Sequence, residues 1–291
     1  MQFKDFLAQR ESVREYAMEP IARDTLGELL DYAEMLENKV DGGKLYNIVF
    51  FREGMTIYEK LQHIGGYSGV MIKSPSYFGV RMADEKPETI VGAAYLMQDL
   101  IKKAFELGLG TCWVDVGHVP QETAIEIAGG VDRVVKYLFA IGYPAKEGFF
   151  ESKTKVSQKT GANKFDIDRL MKGSGSEKID VEDLVYLNEF GNKTNFETLE
   201  QWGVDELFLF VRYAPSHLNS QPCRFILDND KVTLCLLNGM DEANLTDAGI
   251  MMYLFEGLAN EAGMKARWKL DIQPAQKFRD KEYIVVGTFD M

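Results

Sequence analysis

The sequence of 291 residues predicts an α+β fold in which one arrangement of helices and strands is built twice along the chain. Two observations carry this prediction. Helical and strand-like hydrophobic patterns alternate throughout, and the order found in the first half returns in the second. Between the halves lies the stretch Lys172–Ser176, which is rich in Gly and Ser and is typical of a flexible connector.

Two amphipathic helices define the first half. Ile21–Leu36 carries apolar residues at helical spacing and begins after Pro20, a favourable residue for a first turn. Thr89–Leu107 has the longest apolar face and ends at Gly108. Apolar runs predict strands at Lys44–Phe51, Ser76–Met82, Thr111–Val116 and Val134–Ile141, with a short helix at Gln121–Ala128 between the last two.

The second half repeats this order. A helix over Asp205–Tyr213 ends at Pro215, and an apolar helix over Asp247–Ala262 follows two strands joined by the turn 228–230. The predicted strands of this half are Arg224–Leu227, Lys231–Leu237, Ala266–Leu270 and Tyr283–Thr288.

Short strings return as well as elements. Glu106–Leu109 followed by Trp113 matches Glu261–Met264 followed by Trp268, and two further pairs of strings match in the same order. We therefore predict an internal duplication. Its parts are a first half over 1–160, a linker over 161–178 and a second half over 179–291.

The composition indicates a well-packed globular protein with an acidic surface. Hydrophobic residues make up 46% of the chain, and the net charge is −12, which disfavours nucleic acids and anionic membranes as partners. No apolar run reaches the ~20 residues that span a bilayer, and the N-terminus lacks the apolar core of a signal peptide. Three cysteines and three histidines, widely spaced, indicate neither a disulfide framework nor a metal site. We expect a cytoplasmic protein that acts on a small molecule.

The most informative segment is Pro215–Pro222, which we call the carboxamide loop. Its pattern, Pro-Ser-x-x-Asn-x-Gln-Pro, brings a hydroxyl and two carboxamides into one short stretch. Each carboxamide carries a donor and an acceptor, so the pair suits a ring edge that alternates C=O and N–H groups, such as the edge of a flavin. The plain alternative is that Asn219 and Gln221 only cap the preceding helix and close a turn.

A second motif lies near the N-terminus. Arg10-Glu11-Ser12-Val13-Arg14, the phosphate motif, offers two cations and a hydroxyl, which suit a phosphate, although surface cations at a helix end are the alternative. The first half has Glu34–Lys39 where a carboxamide loop would fall, and the second half has no Arg-x-Ser-x-Arg. We therefore predict one composite site, and one cofactor, per chain.

Four strings in this order resemble those of the FMN-dependent nitroreductase superfamily, in a single-chain, internally duplicated form. They are Arg10–Arg14, the Gly-Leu-Gly-x-Cys-Trp segment Gly108–Trp113, Ala140–Pro144 followed by Lys153 and Lys155, and the carboxamide loop. In that family the phosphate motif and the carboxamide loop meet across a homodimer interface. The resemblance therefore implies antiparallel-rich sheets flanked by helices, and a monomer that acts as a pseudo-dimer.

The resemblance also implies an activity and its residues. The protein would be an FMN-dependent oxidoreductase that passes a hydride from NADH or NADPH, through flavin N5, to a nitroaromatic or quinone-type acceptor. No side chain is expected to act as a nucleophile, because the flavin carries the chemistry. Arg10, Ser12, Lys153 and Lys155 would hold the phosphate, Arg14 the pyrimidine end of the ring, Pro215, Ser216, Asn219 and Gln221 the ribityl chain and ring, and Trp113, Val114 and Asp115 the region of N5 and O4.

Two departures from the family pattern keep alternatives open. Cys223 follows Gln-Pro where the family often has Trp, and Trp113 is followed by Val114-Asp115-Val116-Gly117 where the family often has Gly or Glu-Gly. A carboxylate near the ring would disfavour a negatively charged reduced flavin. A flavin-binding or storage protein with little turnover, and a flavin-free scaffold, are therefore the alternatives. Cys112 is interpreted as a buried apolar residue, because nothing basic adjoins it in sequence, and His217 as an exposed loop residue.

Overall fold

The computed structural model describes residues 1–40, 44–129, 134–145 and 178–291. Lys153, Lys155 and all of the predicted linker except Lys178 lie outside the described residues. The predicted α+β class is confirmed, since two sheets carry helices packed against them. The predicted boundaries between the halves remain a prediction.

The first half forms a four-stranded sheet in the order β1-β2-β4-β3, and all its neighbouring strands are antiparallel. Its elements are α1 (Phe3–Gln9), α2 (Arg23–Val40), β1 (Tyr46–Phe51), α3 (Gly54–Leu61), β2 (Ser76–Met82), α4 (Pro87–Glu106), β3 (Gly110–Asp115), α5 (Gln121–Ile127) and β4 (Tyr137–Gly142).

The second half forms a six-stranded sheet in the order β5-β6-β7-β10-β8, with β9 paired to β10. Strand β5 is parallel to β6, and the other pairs are antiparallel. Its elements are α6 (Val181–Leu184), β5 (Val185–Leu187), α7 (Phe196–Gln201), α8 (Asp205–Val211), a 3-10 helix (His217–Asn219), β6 (Cys223–Asp228), β7 (Lys231–Leu237), α9 (Glu242–Glu261), β8 (Trp268–Leu270), β9 (Gln276–Phe278) and β10 (Lys281–Asp290).

The same strand order occurs in both sheets. The series β6-β7-β10-β8 follows the series β1-β2-β4-β3, and in each half a helix of 20 residues joins the second strand to the third. Helix α4 packs on β2 and β3, helix α9 packs on β6 and β7, and the two helices pack on each other. This common order is what the predicted duplication requires.

The two long helices cross at Gly249. A Cβ atom at this position would lie 2.2 Å from the carbonyl oxygen of Val91 and 2.7 Å from the Cβ of Ala94. Glycine therefore permits a closer approach of the two helix backbones than any other residue would. Because α4 and α9 belong to different halves, this crossing fixes how the halves are held together.

The predicted and observed elements differ mainly at helix starts and in short segments. Helix α9 begins at Glu242 rather than at Asp247, because the side chain of Asp241 accepts the Asn244 N–H at 2.7 Å and caps the helix there. Helices α1, α3, α6 and α7, the 3-10 helix and strands β5 and β9 are absent from the predicted elements. Each has eight residues or fewer, which is too short for a periodic pattern to emerge.

Candidate functional site

Helix α1 carries the phosphate motif to the junction between the halves. Although it begins the first half, α1 packs on α9, and the Phe3 N–H donates to Glu261 Oε2 at 2.9 Å. The chain leaves α1 at Arg10 and then runs along the free edge of β3, where the Val13 N–H donates to the Thr111 carbonyl at 3.0 Å. The motif is thereby fixed between the second half and the first sheet.

The side chains of the phosphate motif surround the thiol of Cys112. Arg10 Nη2 lies 3.5 Å from Ser12 Oγ, and Arg14 Nη1 donates to the Ser12 carbonyl at 3.3 Å. Burial lowers the pKa of Arg10 and raises that of Cys112, and the positive charges of the two arginines oppose the second shift. Cys112 is buried, as predicted. The fold nevertheless places cations beside it that are not its neighbours in sequence.

The carboxamide loop follows α8 and folds into a compact turn. Three of its residues other than glycine have left-handed backbone angles, with φ of 53° at Leu218, 57° at Asn219 and 49° at Gln221. The Ser216 hydroxyl oxygen accepts the Gln221 N–H at 3.0 Å and closes the turn. Left-handed angles cost roughly 1–2 kcal/mol for each such residue, so contacts around the loop must impose this shape.

Lys178 and Ile179 supply one set of these contacts. Lys178 Nζ donates to the Ala214 carbonyl and to Asn219 Oδ1, both at 3.1 Å. The Ile179 N–H donates to Gln221 Oε1 at 2.9 Å. Sequence reasoning missed Lys178, because it lies at the end of the predicted linker and no motif marks it.

Asp247 supplies the contacts from the other side. This carboxylate is 3% exposed and accepts the His217 N–H at 2.9 and 3.1 Å through its two oxygens. Burial raises the pKa of Asp247 to about 7, the charge of Asp241 adds to the shift, and the His217 N–H and Lys178 oppose it. His217 is half-buried rather than exposed, and its backbone is what contacts Asp247. In the sequence, the signal that could have identified Asp247 was a carboxylate within an apolar helical pattern.

Three cations from distant parts of the sequence meet at this place. The pKa of Lys178 is lowered to about 8 by burial and by the positive charges of Arg10 and Arg212, while Asp247 opposes the shift. We call Arg10, Lys178 and Arg212 the cation cluster. Because the cluster includes Arg10 of the phosphate motif and Lys178 binds Asn219, the structure brings the two sequence motifs together.

A cavity of about 290 Å³, open solvent included, adjoins the cluster. Arg212, Ser216, Gln221, Cys223 and Asp247 contribute to its wall. Arg212 Nε is buried and has no hydrogen-bond partner within the described part of the chain. Among the described residues, Asp247 faces Lys178 and Glu11 faces Arg10, so two carboxylates oppose the three cations. The remaining positive charge in a partly buried place favours a bound anion.

The end of β3 lies at the edge of the first sheet. The Val116 N–H donates to the Lys136 carbonyl at 2.8 Å, and hydrogen-bonded pairs alternate along an antiparallel ladder. Val114 therefore exchanges its backbone bonds with Leu138, and the Asp115 N–H points away from β4. The Val114 side chain is also buried in the core. Of these two residues, only Asp115 can present its N–H at the edge. Val114 offers a ligand neither its backbone N–H nor its side chain.

The carboxylate of Asp115 is engaged in its own turn. Asp115 Oδ1 accepts the Gly117 N–H at 2.9 Å and lies 3.5 Å from His118 Nδ1. It also faces Glu242 at the start of α9, whose pKa is raised first by burial and then by Asp115. Lys136 binds Glu242 at 3.2 Å and Glu85 at 2.8 Å, and so ties the two halves together beside this turn.

Trp113 lies between the first sheet and α4. Its ring meets Tyr137 edge to face, with centroids 6.0 Å apart. Trp113 Nε1 is buried, and none of the described residues accepts its hydrogen bond. The two rings line a second, mostly apolar cavity that also reaches Thr246 of α9. Tyr137 in turn faces Asp115 and Asp247 electrostatically, so the β3 end and the carboxamide loop flank the same part of α9.

Other kinds of site find no support in the described residues. Over the ranges given above, the His, Cys, Asp and Glu side chains form no group of three or more that could hold a metal ion. No helix within those ranges has both the length and the apolar character needed to cross a bilayer.

Comparisons with known proteins agree with this architecture. The family described as "Putative TM nitroreductase" matches residues 2–174. A crystal structure described as that of a putative nitroreductase from Thermotoga maritima has 15% sequence identity and a TM-score of 0.55, and the match covers 98% of this chain and 94% of that one. This similarity shows a shared fold across both halves. None of the curated proteins compared with the sequence matches it.

Two further solved structures match about half of the chain. An FMN-dependent nitroreductase from Clostridium difficile has 21% identity and a TM-score of 0.42, over 55% of this chain and 98% of that one. A nitroreductase with bound FMN from Bacteroides fragilis has 17% identity and a TM-score of 0.43, over 56% of this chain and 100% of that one.

Proposed function

Since the chain belongs to the TM nitroreductase family and is a nitroreductase-like oxidoreductase, we propose that it binds one FMN at the composite site. In this proposal NADH or NADPH is the reductant, and a small nitroaromatic or quinone-type molecule is the acceptor. The supporting observation is the meeting of Arg10, from the first half, with Lys178, at the end of the predicted linker, and Asn219, from the second half, in one partly buried place.

The residues at this place suit a flavin mononucleotide. The cation cluster offers net positive charge for an anionic group, and Arg212 Nε is a buried donor that finds no acceptor among the described residues. Arg10 and Ser12 would hold the phosphate, while Ser216 and Asn219 would contact the ribityl chain or the ring. The Asp115 N–H, which points away from β4, would donate to the ring. Bound FMN supplies hydride transfer.

Gln221 takes a narrower role than the sequence suggests. Its Oε1 accepts the Ile179 N–H, and its Nε2 lies 3.3 Å from the Asn219 carbonyl oxygen, so both ends of the carboxamide contact the protein. In this proposal Gln221 shapes the carboxamide loop, and Asn219 is the carboxamide that meets the ligand. Lys153 and Lys155, which lie outside the described residues, remain proposed ligands of the phosphate.

The equivalent place in the first half supports one site per chain. Asp247 and Gly92 are each the sixth residue of their 20-residue helix. Cys223 begins β6 and Tyr46 begins β1, and each of these is the first of the two strands before that helix. In the first half a Cβ on Gly92 would lie 2.1 Å from the Tyr46 hydroxyl, so the tyrosine fills the position. In the second half Cys223 and Asp247 line a cavity instead.

The test is an absorption titration of the purified protein with FMN, followed by anaerobic addition of NADH or NADPH. We expect saturation at one FMN per chain and bleaching of the bound flavin by the nicotinamide. Bound flavin that does not bleach would favour the flavin-binding or storage alternative. A protein that binds no FMN would favour the flavin-free scaffold and refute the proposal.

Two arginine variants connect binding to the site. Arg10→Met removes a cation of the cluster, and we expect it to weaken FMN binding about tenfold or more, since hydrogen bonds to charged groups contribute about 1.5–3 kcal/mol. Arg23→Met removes an exposed cation in the first turn of α2 and serves as the matched control. Equal affinities for the two variants would place the cofactor elsewhere. Because each chain supplies both motifs, we also expect FMN binding to be independent of protein concentration.

A further inference from the structure

Helix α1 belongs to the first half in sequence, but the second half binds its first turn. Gln2 stands at the N-cap position, and its side chain makes no capping hydrogen bond. Glu261, the last residue of α9, takes that role, because its Oε2 accepts the Phe3 N–H at 2.9 Å and the Lys4 N–H at 3.4 Å. A carboxylate 258 positions away along the chain therefore supplies the cap that the local sequence lacks.

The ring of Phe3 fills a recess in the same helix. A Cβ atom on Gly257 would lie 2.0 Å from the nearest carbon of the ring, so the ring occupies the space that any other side chain at this position would need. Tyr253 meets the ring one turn earlier, with centroids 5.5 Å apart, and Lys102 Nζ of α4 lies 4.9 Å from the ring centroid. We call Tyr253, Gly257 and Glu261 the α1 socket, since their spacing of four residues places them on one stripe of α9.

Further contacts hold α1 along its length. Lys4 pairs with Glu206 of α8, and Phe6, which is fully buried, meets Phe105 of α4 edge to face with centroids 5.3 Å apart. The Arg10 N–H ends the helix by donating to the Phe6 carbonyl at 2.8 Å. Arg10 is therefore the first residue beyond a rigid segment, about 10 Å long, whose other end is fixed in the α1 socket.

The position of Arg10 requires such support. Its guanidinium joins Lys178 and Arg212 in the cation cluster, and like charges repel more strongly where water is partly excluded. Glu11 and Asp247 offset part of this repulsion. Until an anion binds, the contacts of α1 hold Arg10 in the cluster against the remainder.

We propose that the α1 socket positions Arg10 for the phosphate of FMN. Phe3, Gly257 and Glu261 act on the ligand through α1, which makes them positioning residues. The second half would then control the phosphate motif of the first half in addition to supplying the carboxamide loop. The inference rests on the proposed function for its ligand, and it deepens that function by naming the residues of α1 and α9 that set the affinity for the phosphate.

The first experiment needs no cofactor. Phe3→Ala empties the socket, Gly257→Ala closes it while giving α9 a better helix former, and Phe196→Ala, which removes an exposed ring of α7, is the control. An NMR titration gives the pKa of Lys178, which burial and then the charge of Arg10 lower to about 8. We expect this pKa to rise in both socket variants towards the value measured in Arg10→Met. Amide exchange at Arg10 should also be about tenfold faster or more.

The second experiment compares FMN with riboflavin, which has the same ring and ribityl chain but no phosphate. We expect Phe3→Ala and Gly257→Ala to weaken FMN binding about tenfold, as Arg10→Met does, and to change riboflavin binding by less than about twofold. Because the socket acts through Arg10, Phe3→Ala should have no further effect on FMN affinity when Arg10→Met is already present. Phe196→Ala should bind both ligands as the wild type does.

Each outcome bears on a distinct claim. Equal losses of FMN and riboflavin affinity would indicate a general loss of structure and would overturn the positioning role. A Lys178 pKa that stays at about 8 while α1 exchanges faster would show that Arg10 keeps its place without the socket, and would overturn it as well. If the wild type binds no FMN, the proposed function fails, and the titration of Lys178 still decides whether the α1 socket positions Arg10.

Discussion

The crossing of α4 and α9 at Gly249 gives the strongest test of how the halves are joined. Replacing Gly249 with Ala adds one carbon atom that would lie 2.2 Å from the Val91 carbonyl oxygen and 3.1 Å from the Tyr95 nitrogen. Both contacts are with the backbone of the other helix, so no side chain can rotate to relieve them. A carbon–oxygen contact normally measures about 3.3 Å or more, and the helices would have to separate by about 1 Å.

The magnitude follows from two opposing terms. Overpacking of a tight interface costs about 1–3 kcal/mol, and the upper end applies because only the backbone can yield. Alanine gains about 1 kcal/mol over glycine in helix propensity, which offsets part of this cost. We expect a net loss of about 2 kcal/mol in the free energy of unfolding, or a melting temperature lower by roughly 4–8 °C.

The assay is thermal unfolding followed by circular dichroism, with Gly27→Ala as the matched control. Gly27 lies in α2, and a Cβ added there meets no atom within 4 Å, so this variant should be more stable by about 0.5–1 kcal/mol. If Gly249→Ala melts at or above the wild type while Gly27→Ala behaves as expected, the close crossing is refuted. FMN affinity should fall with stability in Gly249→Ala, because the composite site spans the same junction.

Three further predictions concern ionisable groups that are buried or partly buried, together with their partners. Lys136→Met should cost about 1–3 kcal/mol of stability in denaturant unfolding, because it leaves Glu85 and Glu242 together without their cation, whereas Lys269→Met breaks an exposed pair and should cost under about 1 kcal/mol. Burial raises the pKa of Asp247 to about 7, so the folded state keeps a proton that the unfolded chain has lost; stability should therefore fall as pH rises from about 4 to 7, by at most about 1.4 kcal/mol per pH unit, and this slope should be absent in Asp247→Asn. All three cysteine thiols are buried with raised pKa values, so a thiol reagent near neutral pH should modify none in the native protein and three after denaturation.

Long periodic segments made the fold predictable from the sequence. The bounds of β2 and β7 agree with the predicted strands residue for residue, and the helix predicted at Thr89–Leu107 differs from α4 by two residues or fewer at each end. Short elements were missed for a physical reason. Helix α1 has seven residues, and it is held by contacts with α9 that lie some 250 positions away in sequence, such as that of Phe3 with Glu261.

The candidate site was predictable only in part. The phosphate motif and the carboxamide loop are local patterns of residue types, so the sequence reveals them. Lys178, Asp247 and Arg212 matter because folding buries them beside those motifs, and no local pattern records that burial. Asp247 was assigned to the first turn of a helix, whereas the structure places it in the second turn with its carboxylate against the loop.

A single chain permits an asymmetry that a homodimer does not. In a symmetric dimer the residue at the sixth position of the long helix is the same in both subunits, so a carboxylate that holds one carboxamide loop must also appear in the other subunit. Here the two positions carry Asp247 and Gly92, and the chain can keep a buried carboxylate where it has donors to bind and omit it where a tyrosine fills the space. An unpaired buried carboxylate costs several kcal/mol. Its absence at the position of Gly92 therefore stabilises the fold without affecting the position of Asp247. The proposed duplication therefore separates the requirements of binding from those of packing, and it assigns each to a different half.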